Sequence, residues 1–289
     1  MSKLEVEGLD SSGIIKKVAA AKGWVLDVDG CLVRTAAAGG AGGVPIQGAV
    51  ELLRWLKDGG KKVIVCTNAS QKTVAEYAAH LRAIGLDIAD DEMMTAATAA
   101  AAHIANHHRG SRVLAIGDVG LKQALRAEGM ELANGALDKV DVVVVGGADS
   151  YLTAEINAAC LAVADKSAPF YVTVDVPWFH GGLKKAVSSS SAIAYAIAAV
   201  TGCCPEVCGK PSPAIAAVLT HLLGVNSGDV VVVGDMASIE IQMAHVMGGF
   251  GVLVMSGGTS AADLPELPLN HRPHVRVQDV GELVELLTQ

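Results

Sequence analysis

Aromatic side chains are scarce in this chain of 289 residues, since Phe, Trp and Tyr together make up only 3% of it. Smaller apolar residues, above all Ala, Val, Leu and Ile, must therefore fill the core. Charged residues are also few, at 18%, but the hydrophobic content of 51% excludes a disordered or fibrous chain. This length and composition suit one large domain or two modest ones.

Runs of basic residues are missing as well. The chain has 22 Lys and Arg against 30 Asp and Glu, which gives a formal net charge of −8. Nucleic acids and anionic membrane surfaces are held by clustered cations, so this pattern argues against both as partners. A small anion can still be bound by a few local cations, main-chain amides or a metal ion.

An export signal is not visible in residues 1–10, which contain no apolar run before a cleavage site. We therefore expect a cytoplasmic protein without disulfides. The cluster of Cys203, Cys204 and Cys208 lacks a second pair of ligands at zinc spacing, which favours structural thiols. The uncharged stretch 186–205 includes four serines, a glycine and a proline, so we expect a buried alanine-rich helix there and no membrane span.

Short apolar runs rich in Val and Ile alternate with amphipathic helical patterns along the chain. Runs such as 24–28, 62–66 and 230–233 are almost wholly apolar, as in strands that are buried on both faces. Helical patterns such as 48–58 and 213–223 place their apolar residues on one face. The alternation predicts an α/β fold with a Rossmann-like, doubly wound and mainly parallel sheet.

Glycine and alanine alone make up residues 36–43, which cannot hold a rigid element. The segment lacks the Gly-Lys-Ser/Thr ending of a Walker loop, so we do not expect it to bind phosphate. We expect a flexible flap beside the first strand.

Polar side chains follow several predicted strands, and ligands of open α/β sheets bind beyond such strand ends. Asp27 and Asp29 follow the first strand and point the same way if the chain stays extended. Such a pair can hold a divalent cation while one carboxylate attacks an electrophile. Acids that close a strand are also common turn formers, which is the alternative for this fragment.

Three further fragments have the same kind of position. Thr67 and Asn68 end a strand, where a hydroxyl and amides can hold phosphate oxygens or can cap the next helix. Lys210 precedes a helix with proline in its first turn, and is either a surface lysine or a charge clamp beside an anion. Asp235 ends a later strand and is followed by Glu240, with a turn or a helix cap as the alternative.

Together, these fragments resemble the four motifs of the haloacid dehalogenase superfamily of phosphatases. Its Asp-x-Asp-Gly motif corresponds to Asp27-Val28-Asp29-Gly30, and its Thr or Ser at a strand end corresponds to Thr67. Its lysine corresponds to Lys210, and its Gly-Asp with a further acid corresponds to Gly234-Asp235 with Glu240. The final acid of the superfamily is usually Asp, so the Glu is a departure from the pattern.

One branch of the superfamily, with the NagD-like and 4-nitrophenylphosphatase-like enzymes, is similar in further segments. Pro45-Ile46-Gln47-Gly48-Ala49 resembles the Pro-x-x-Gly-Ala that opens its first helix, and 208–215 resembles its Gly-Lys-Pro-Ser-Pro segment. Residues 140–147 resemble the strand that enters its large cap. The resemblance covers nearly the whole chain. It departs at 173–176, which replace Thr-Asn-Pro-Asp, and at 188–191, where four serines replace a helix start that contains glycine.

The resemblance implies a catalytic core formed by residues 1–91 and 205–289. An inserted α/β cap of the C2 type, over residues 92–204, would close over the substrate and exclude water. From the cap, Asp175 and Trp178 are candidates to face the substrate, with a turn on the cap surface as the alternative. The resemblance also implies that a homodimer can form through the cap.

The resemblance further implies hydrolysis of a small phosphorylated metabolite. Asp27 would be the nucleophile that forms an aspartyl-phosphate, and Asp29 would be the general acid and base. Thr67 and the amide of Asn68 would hold the phosphoryl oxygens. Lys210 would neutralise the charge of that group and restrain the nucleophile.

Mg²⁺ is the implied cofactor, with Asp27, the main-chain carbonyl of Asp29 and Asp235 as ligands. Two alternatives to hydrolysis stay open on the same residues. One is phosphotransfer to an acceptor other than water, and the other is a metabolite-binding protein without turnover. Glu240 and the altered cap segments motivate the second alternative, whereas Asp29 argues against it because binding alone needs no acid.

Overall fold

The structure is a computed structural model, and it describes residues 11–35, 39, 42–134, 139–180 and 185–289. Two of the sequence predictions fall outside these residues: the missing export signal in residues 1–10, and the flap at positions 36–38, 40 and 41. Within the described ranges, the chain forms parallel sheets flanked by helices, which confirms the predicted α/β fold.

Short strands and helices alternate along the described chain. The strands are β1 (Gly23–Leu26), β2 (Val33–Arg34), β3 (Val44–Pro45), β4 (Lys62–Thr67), β5 (Met93–Thr95), β6 (Arg112–Ile116), β7 (Glu131–Leu132), β8 (Val142–Val145), β9 (Phe170–Val172), β10 (Trp178–His180), β11 (Lys185–Val187), β12 (Glu206–Val207), β13 (Val230–Gly234), β14 (Phe250–Val254) and β15 (Val275–Val277). The α-helices are α1 (Ser11–Ala20), α2 (Ala49–Asp58), α3 (Val74–Ala83), α4 (Ala96–His107), α5 (Val119–Ala127), α6 (Thr153–Lys166), α7 (Ser189–Thr201), α8 (Pro213–Leu223), α9 (Gln242–Met247) and α10 (Val280–Leu287).

A six-stranded parallel sheet forms the core. Its strand order is β15-β14-β13-β1-β4-β5, so β1 lies inside the sheet between β13 and β4. The chain therefore winds in one direction from β1 to β4 and β5, and in the other direction through β13, β14 and β15. Such a reversal of strand order leaves a crevice at the carboxyl ends of the central strands, where ligands bind.

Successive residues of the central strands pack on opposite faces of this sheet. In β1, Trp24 and Leu26 pack in a cluster with residues of α1, α2, α3 and α10. Val25, between them, packs in a second cluster with residues of α8 and α9. Because helices cover both faces, the strands are apolar on both sides. Each fully buried Val, Leu or Ile contributes about 1.5–3 kcal/mol relative to an exposed one.

A five-stranded sheet from the middle of the chain forms the cap. Its strand order is β12-β9-β8-β6-β7, and all of its strand pairs are parallel. Residues of α4 and α5 pack on one face of this sheet, and residues of α6 and α7 on the other. α4 contacts both sheets, because its Ala99 packs in a core cluster whereas its Ala100 packs in a cap cluster.

The chain crosses between the two sheets slightly later than at the predicted positions. Met93–Thr95 lies in the range predicted for the cap, but it pairs with β4 in the six-stranded sheet. Glu206–Val207 lies in the range predicted for the core, but it pairs with β9 in the five-stranded sheet. Both segments are edge strands of two or three residues, which are too short to show a periodicity in the sequence.

Two helical segments also differ from the sequence predictions. The helix predicted at 239–247 begins with a π-helical turn, Ala237–Ile241, before α9. The helix expected in the uncharged stretch is α7, but Tyr195 and Val200 are exposed, so it is buried on one face only. None of the helices in the described part of the chain combines the length and apolar character that a bilayer crossing requires.

Candidate active site

Three strand ends bring the predicted site residues to one edge of the six-stranded sheet. β1 ends directly before Asp27, β4 ends at Thr67, and β13 ends directly before Asp235. Because β1 pairs in parallel with both β4 and β13, these carboxyl ends are neighbours. The segment between β12 and α8 brings Lys210 to the same edge.

Asp27 and Asp29 lie on the same side of the chain. The amide of Asp27 donates to the carbonyl of Val233 at 2.9 Å, so the pairing of β1 with β13 continues past the end of the strand. Asp27 and Asp29 both line a cavity, while Val28 between them is fully buried in the core. The side chains therefore alternate as in an extended segment.

The hydroxyl of Thr67 joins the first two fragments. Its Oγ1 donates to Asp29 Oδ2 at 3.3 Å and accepts from the amide of Ala69 at 3.1 Å. Asp29 Oδ2 also accepts from the amide of Gly39 at 2.9 Å. The cap of α3 is supplied by Thr73, so the capping alternative for Thr67 is wrong.

The ammonium group of Lys210 is buried among three acceptors. Its Nζ lies 2.5 Å from Asp27 Oδ1, 2.9 Å from Glu240 Oε1 and 2.9 Å from the carbonyl oxygen of Cys66. An ammonium group has three protons to donate, and each has a partner here. The side chain is 2% exposed, so the interpretation as a surface lysine is wrong. Lys210 is a fixed positive charge beside Asp27.

The main chain of Lys210 is bound by the side chain of Asn68. Asn68 Oδ1 accepts from the amide of Lys210 at 2.9 Å, and Nδ2 donates to its carbonyl at 3.1 Å. The preceding residue must be glycine, because a Cβ on Gly209 would overlap the carbonyl oxygen of Thr173. The sequence predicted a role for the main-chain amide of Asn68 and missed this side-chain contact.

Glu240 reaches the lysine from a π-helical turn. Its Oε1 accepts from Lys210, and its Oε2 accepts from the amide of Met236 at 3.1 Å. Gly234 makes room for this side chain, because a Cβ at that position would overlap Glu240 Cγ. π-Helical turns are often found at functional sites, and this one places a buried acid against a buried base.

Asp235 is held by a loop rich in glycine. Its Oδ2 accepts from the amide of Gly258 at 2.5 Å, and its carbonyl accepts from the amide of Thr259 at 3.0 Å. A Cβ on Gly257 would overlap the carboxylate of Asp235, so this close approach requires glycine. The carboxylate is thereby fixed at the wall of the cavity.

Burial dominates the electrostatics of these groups. Burial raises the pKa of Asp27 from 3.8 to about 8, with Lys210 opposing the shift and Glu240 adding to it. Burial, followed by the charges of Asp27 and Glu240, raises the pKa of Asp235 well above 3.8. Burial alone would lower the pKa of Lys210, but the carboxylates of Asp27 and Glu240 raise it well above 10.5. The buried carboxyl groups therefore outnumber the positively charged groups beside them, of which Lys210 is the one that the structure describes.

The donor set fits an open site for a hard divalent cation such as Mg²⁺. Asp27, Asp29, Asp235 and Glu240 all line the cavity, and Lys210 leaves three of their four formal charges uncompensated. Mg²⁺ prefers carboxylate oxygens and keeps several waters, so one or two carboxylates suffice. In the described ranges, no three or more His, Cys, Asp or Glu side chains are grouped so that they could hold a metal ion, so a main-chain oxygen or waters would have to complete this site.

A cavity of about 310 Å³ lies between the acids and the cap. Its core side consists of the acids, the loop that follows β4, and the apolar side chains of Met236 and Ile239. Its cap side includes Val174, Val176, Trp178, Phe179, Val187 and Ser189. The volume is that of a pocket for a small ligand.

The structure separates the two cap residues that were expected to face the substrate. Trp178 lines the cavity, but Asp175 is exposed and accepts from the hydroxyl of Tyr195 at 2.7 Å. Val174 and Val176, on either side of Asp175, line the cavity. Alternate side chains point in opposite directions along such a segment, so Asp175 points away from the cavity, contrary to the prediction.

Contacts between the loop after β4 and the cap were not predicted. Ser70 Oγ accepts from the amide of Gly147 at 2.8 Å and lies 3.4 Å from Thr173 Oγ1. The carbonyl of Gln71 accepts from the amide of Gly120 at 2.9 Å. The sequence offers one hint of these contacts, the pair Gly146-Gly147 after β8. Such glycines indicate that another part of the chain comes close to the backbone, but they do not show which part.

Two family models match the chain. A model described as haloacid dehalogenase-like hydrolase matches residues 24–131, and one described as HAD-hydrolase-like matches residues 207–283. An acid sugar phosphatase of Staphylococcus epidermidis is 30% identical over 244 residues, which cover 83% of this chain and 89% of that protein. The chain therefore belongs to the haloacid dehalogenase-like hydrolases, which confirms the resemblance seen in the sequence.

Solved structures narrow this assignment. A p-nitrophenyl phosphatase from Archaeoglobus fulgidus is 28% identical, with a TM-score of 0.80 over 92% of this chain and 98% of that one. A glycerol phosphate phosphatase from Mycobacterium tuberculosis, in complex with magnesium, is 25% identical, with a TM-score of 0.81 over 93% of this chain and 79% of that one. Within the family, this chain is a phosphoric monoester hydrolase of the 4-nitrophenylphosphatase-like branch.

Proposed function

We propose that this protein hydrolyses small phosphorylated metabolites through an aspartyl-phosphate on Asp27, with Asp29 as general acid and base and Mg²⁺ as cofactor. The main support is the contact of Lys210 Nζ with Asp27 Oδ1, at 2.5 Å, beside the cavity. A lysine that neutralises this carboxylate allows it to approach an anionic phosphate. The names of the similar sugar, nitrophenyl and glycerol phosphate phosphatases support a small phosphate monoester as substrate.

Asp27 acts as the nucleophile in this proposal. One of its oxygens forms a bond to phosphorus while the bond between phosphorus and the leaving oxygen breaks. Lys210 lowers the repulsion between the two anions because it donates to Asp27 Oδ1. Glu240 binds the same ammonium group at 2.9 Å, and we assign it as a positioning residue for Lys210.

Asp29 carries the proton in both steps. It donates a proton to the leaving alkoxide, and later removes one from the water that attacks phosphorus, which releases phosphate and restores Asp27. The amide of Gly39 binds its Oδ2 and orients it. Without substrate, the hydroxyl of Thr67 donates to the same oxygen, and its single proton would be donated to the phosphoryl oxygens instead when the substrate binds. Acid–base catalysis of this kind contributes about 10²–10⁴-fold to the rate.

In this proposal, donors at the end of β4 bind the oxygens of the phosphoryl group. The hydroxyl of Thr67 and the main-chain amide of Asn68 would hold them, and both residues line the cavity. Donors fixed in this way stabilise the charge that develops on the transferring group. The side chain of Asn68 is already bound to Lys210, so we assign only its main-chain amide to the substrate.

Mg²⁺ would be held by Asp27, the main-chain carbonyl of Asp29 and Asp235. When bound, it would act as a Lewis acid toward the phosphoryl oxygens. The magnesium complex of the similar glycerol phosphate phosphatase supports this cofactor. The raised pKa values of Asp27 and Asp235 support it as well, because a cation favours the charged form of two buried acids.

The first test is hydrolysis of 4-nitrophenyl phosphate by Asp27→Asn protein. We expect phosphate release to fall to background, because an amide cannot serve as the nucleophile, while the circular dichroism spectrum is unchanged. Asp58→Asn, an exposed position at the end of α2, is the matched control. Unchanged turnover in the Asp27 variant would overturn the proposal.

A second test separates the acid role of Asp29 from a structural one. In protein that carries Asp29→Asn, kcat/KM for benzyl phosphate should fall far more than kcat/KM for 4-nitrophenyl phosphate, because nitrophenolate leaves without a proton and kcat/KM reports the step in which the leaving group departs. Equal losses on both esters would contradict the acid role. Binding without turnover at any Mg²⁺ concentration would favour the metabolite-binding alternative, and phosphorylated alcohols formed with added acceptors would favour phosphotransfer.

A further inference from the structure

We propose that the leaving group of the substrate is uncharged and largely apolar or aromatic, because the cap residues that the structure describes around the cavity form a mainly apolar wall without a formal charge. This inference rests on the proposed function, since it concerns the group from which phosphate is removed.

The wall opposite the acids consists mainly of apolar side chains. Val174 and Val176 come from the segment after β9, and Trp178 and Val187 come from the hairpin of β10 and β11. Trp178 and Val187 are directly opposed across this hairpin, and they are 45% and 59% exposed. Large apolar side chains that are exposed beside a polar site are typical of a surface that a ligand covers.

The serines of this wall already have partners within the protein. Ser189 Oγ donates to the carbonyl of Ala148 at 3.3 Å and accepts from the hydroxyl of Tyr151 at 3.0 Å. Ser188 Oγ lies within hydrogen-bond distance of Ser191 Oγ, at 3.0 Å. A leaving group rich in hydroxyls would have to compete with these bonds, whereas an apolar one leaves them intact.

Ser191 fixes the position of the apolar wall. Its Oγ lies 2.8 Å from the carbonyl oxygen of Val174, 2.9 Å from that of Val176 and 3.2 Å from the amide of Val176. Ser191 is itself 4% exposed. On the other side of the segment, Tyr195 binds Asp175. α7 therefore holds the two valines in place before any ligand enters, which favours selectivity because little has to be ordered on binding.

Charge also selects against an anionic leaving group. Among the described residues that line the cavity, none of those contributed by the cap carries a formal charge. The core side carries four acids against the single charge of Lys210. A carboxylate or second phosphate on the leaving group would lose its hydration against the apolar wall.

The experiment compares benzyl phosphate with 4-carboxybenzyl phosphate. Both esters release a benzylic alkoxide of similar reactivity, so the ratio of their kcat/KM values reports on the wall. We expect wild-type protein to prefer benzyl phosphate by at least about 10-fold, the discrimination typical of a pocket of this kind. Isothermal titration of the two corresponding phosphonates should show the same order of affinity without any chemical step.

A positive charge placed in the wall should weaken or abolish this preference. Val187→Lys puts an ammonium group at an exposed position of the wall, so it should lower the ratio by about 10-fold through better use of the carboxybenzyl ester. Val200→Lys, on the exposed face of α7 and outside the cavity lining, should leave the ratio unchanged.

The outcomes separate this inference from the proposed function. Equal kcat/KM values for the two esters in wild-type protein, or a wild-type ratio in the Val187 variant, would overturn the inference and leave the phosphatase activity in place. If the protein hydrolyses neither of these esters nor 4-nitrophenyl phosphate, the proposed function fails and the inference fails with it.

Discussion

Asn68 binds the main chain of Lys210 through both atoms of its side-chain amide, although 142 positions separate the two residues. Oδ1 accepts from the Lys210 amide, and Nδ2 donates to the Lys210 carbonyl. Through this pair, the end of β4 fixes the segment whose ammonium group contacts Asp27. The position of the buried ammonium group therefore depends on the side chain of Asn68. This side chain contacts only main-chain atoms of Lys210.

Removal of this side chain should impair turnover more than substrate binding. We expect Asn68→Ala to lower kcat by about 10²-fold, because a displacement of about 1 Å in a catalytic group has an effect of that size. KM should change much less, since the main-chain amide of Asn68 remains. Asn157→Ala, at an exposed position of α6, is the control. A wild-type kcat in the Asn68 variant would show that the lysine is held without this contact.

The room that Gly234 leaves for Glu240 gives a second prediction. Gly234→Ala should destabilise the protein by about 1–3 kcal/mol and lower kcat, because the new Cβ would displace Glu240 from Lys210. Urea denaturation and turnover of 4-nitrophenyl phosphate measure the two effects. Gly228→Ala is the matched control, since a Cβ there meets nothing within 4 Å. The added change Glu240→Asp, which shortens the side chain, should restore part of the lost stability; failure to do so would contradict this cause.

Removal of the cation should make stability depend on pH through Asp27. Its pKa in the folded protein, about 8, lies above the ordinary 3.8, so without Mg²⁺ the folded state keeps a proton that the unfolded chain releases. The free energy of unfolding should then fall as the pH rises from about 4 to about 8. Saturating Mg²⁺, at about 100 times its Kd, should add about 2.7 kcal/mol.

The size of this Mg²⁺ effect should itself rise with pH. Below about pH 8 the cation has to displace the proton of Asp27, so its apparent affinity should grow between about pH 6 and about pH 8. Thermal unfolding with Mg²⁺ or with a chelator measures the effect, and Asp235→Asn should reduce it. A Mg²⁺ shift that is the same at every pH would contradict the raised pKa of Asp27.

His274 should make the protein less stable in acid. Its Nδ1 accepts from the amide of Gly251 at 2.9 Å, between β14 and β15, and burial lowers its pKa below 6.5. The unfolded chain therefore takes up the proton first, and stability is lost as the pH falls below 6.5. Asn at this position keeps a hydrogen-bond acceptor but does not titrate. In urea denaturation, His274→Asn protein should therefore lose less of its free energy of unfolding between about pH 7.5 and about pH 5.5 than wild-type protein does. An undiminished loss would exclude His274 as its cause.

Elements with a complete local signal could be predicted from the sequence. α8 begins and ends where the pattern 213–223 predicts, because Ser212 caps the helix and Pro213 occupies its first turn. The apolar run of β13 and Asp235, which follows it in the sequence, were recognisable for a similar reason, since both lie within a few consecutive residues. The edge strand Met93–Thr95 could not be recognised, because three residues carry no periodicity and only the neighbouring strand stabilises it.

The sequence by itself determined the α/β fold and the polar residues at the strand ends. The apolar run of a buried strand and the polar residue that ends it are consecutive in the chain, so both can be recognised locally. Only the tertiary structure decided that Glu240 contacts Lys210, that Asp175 turns toward Tyr195, and that Ser191 holds the wall of the cavity. Each of these contacts joins residues from different elements. Their geometry depends on how the sheets and helices pack, which no local pattern of side chains specifies.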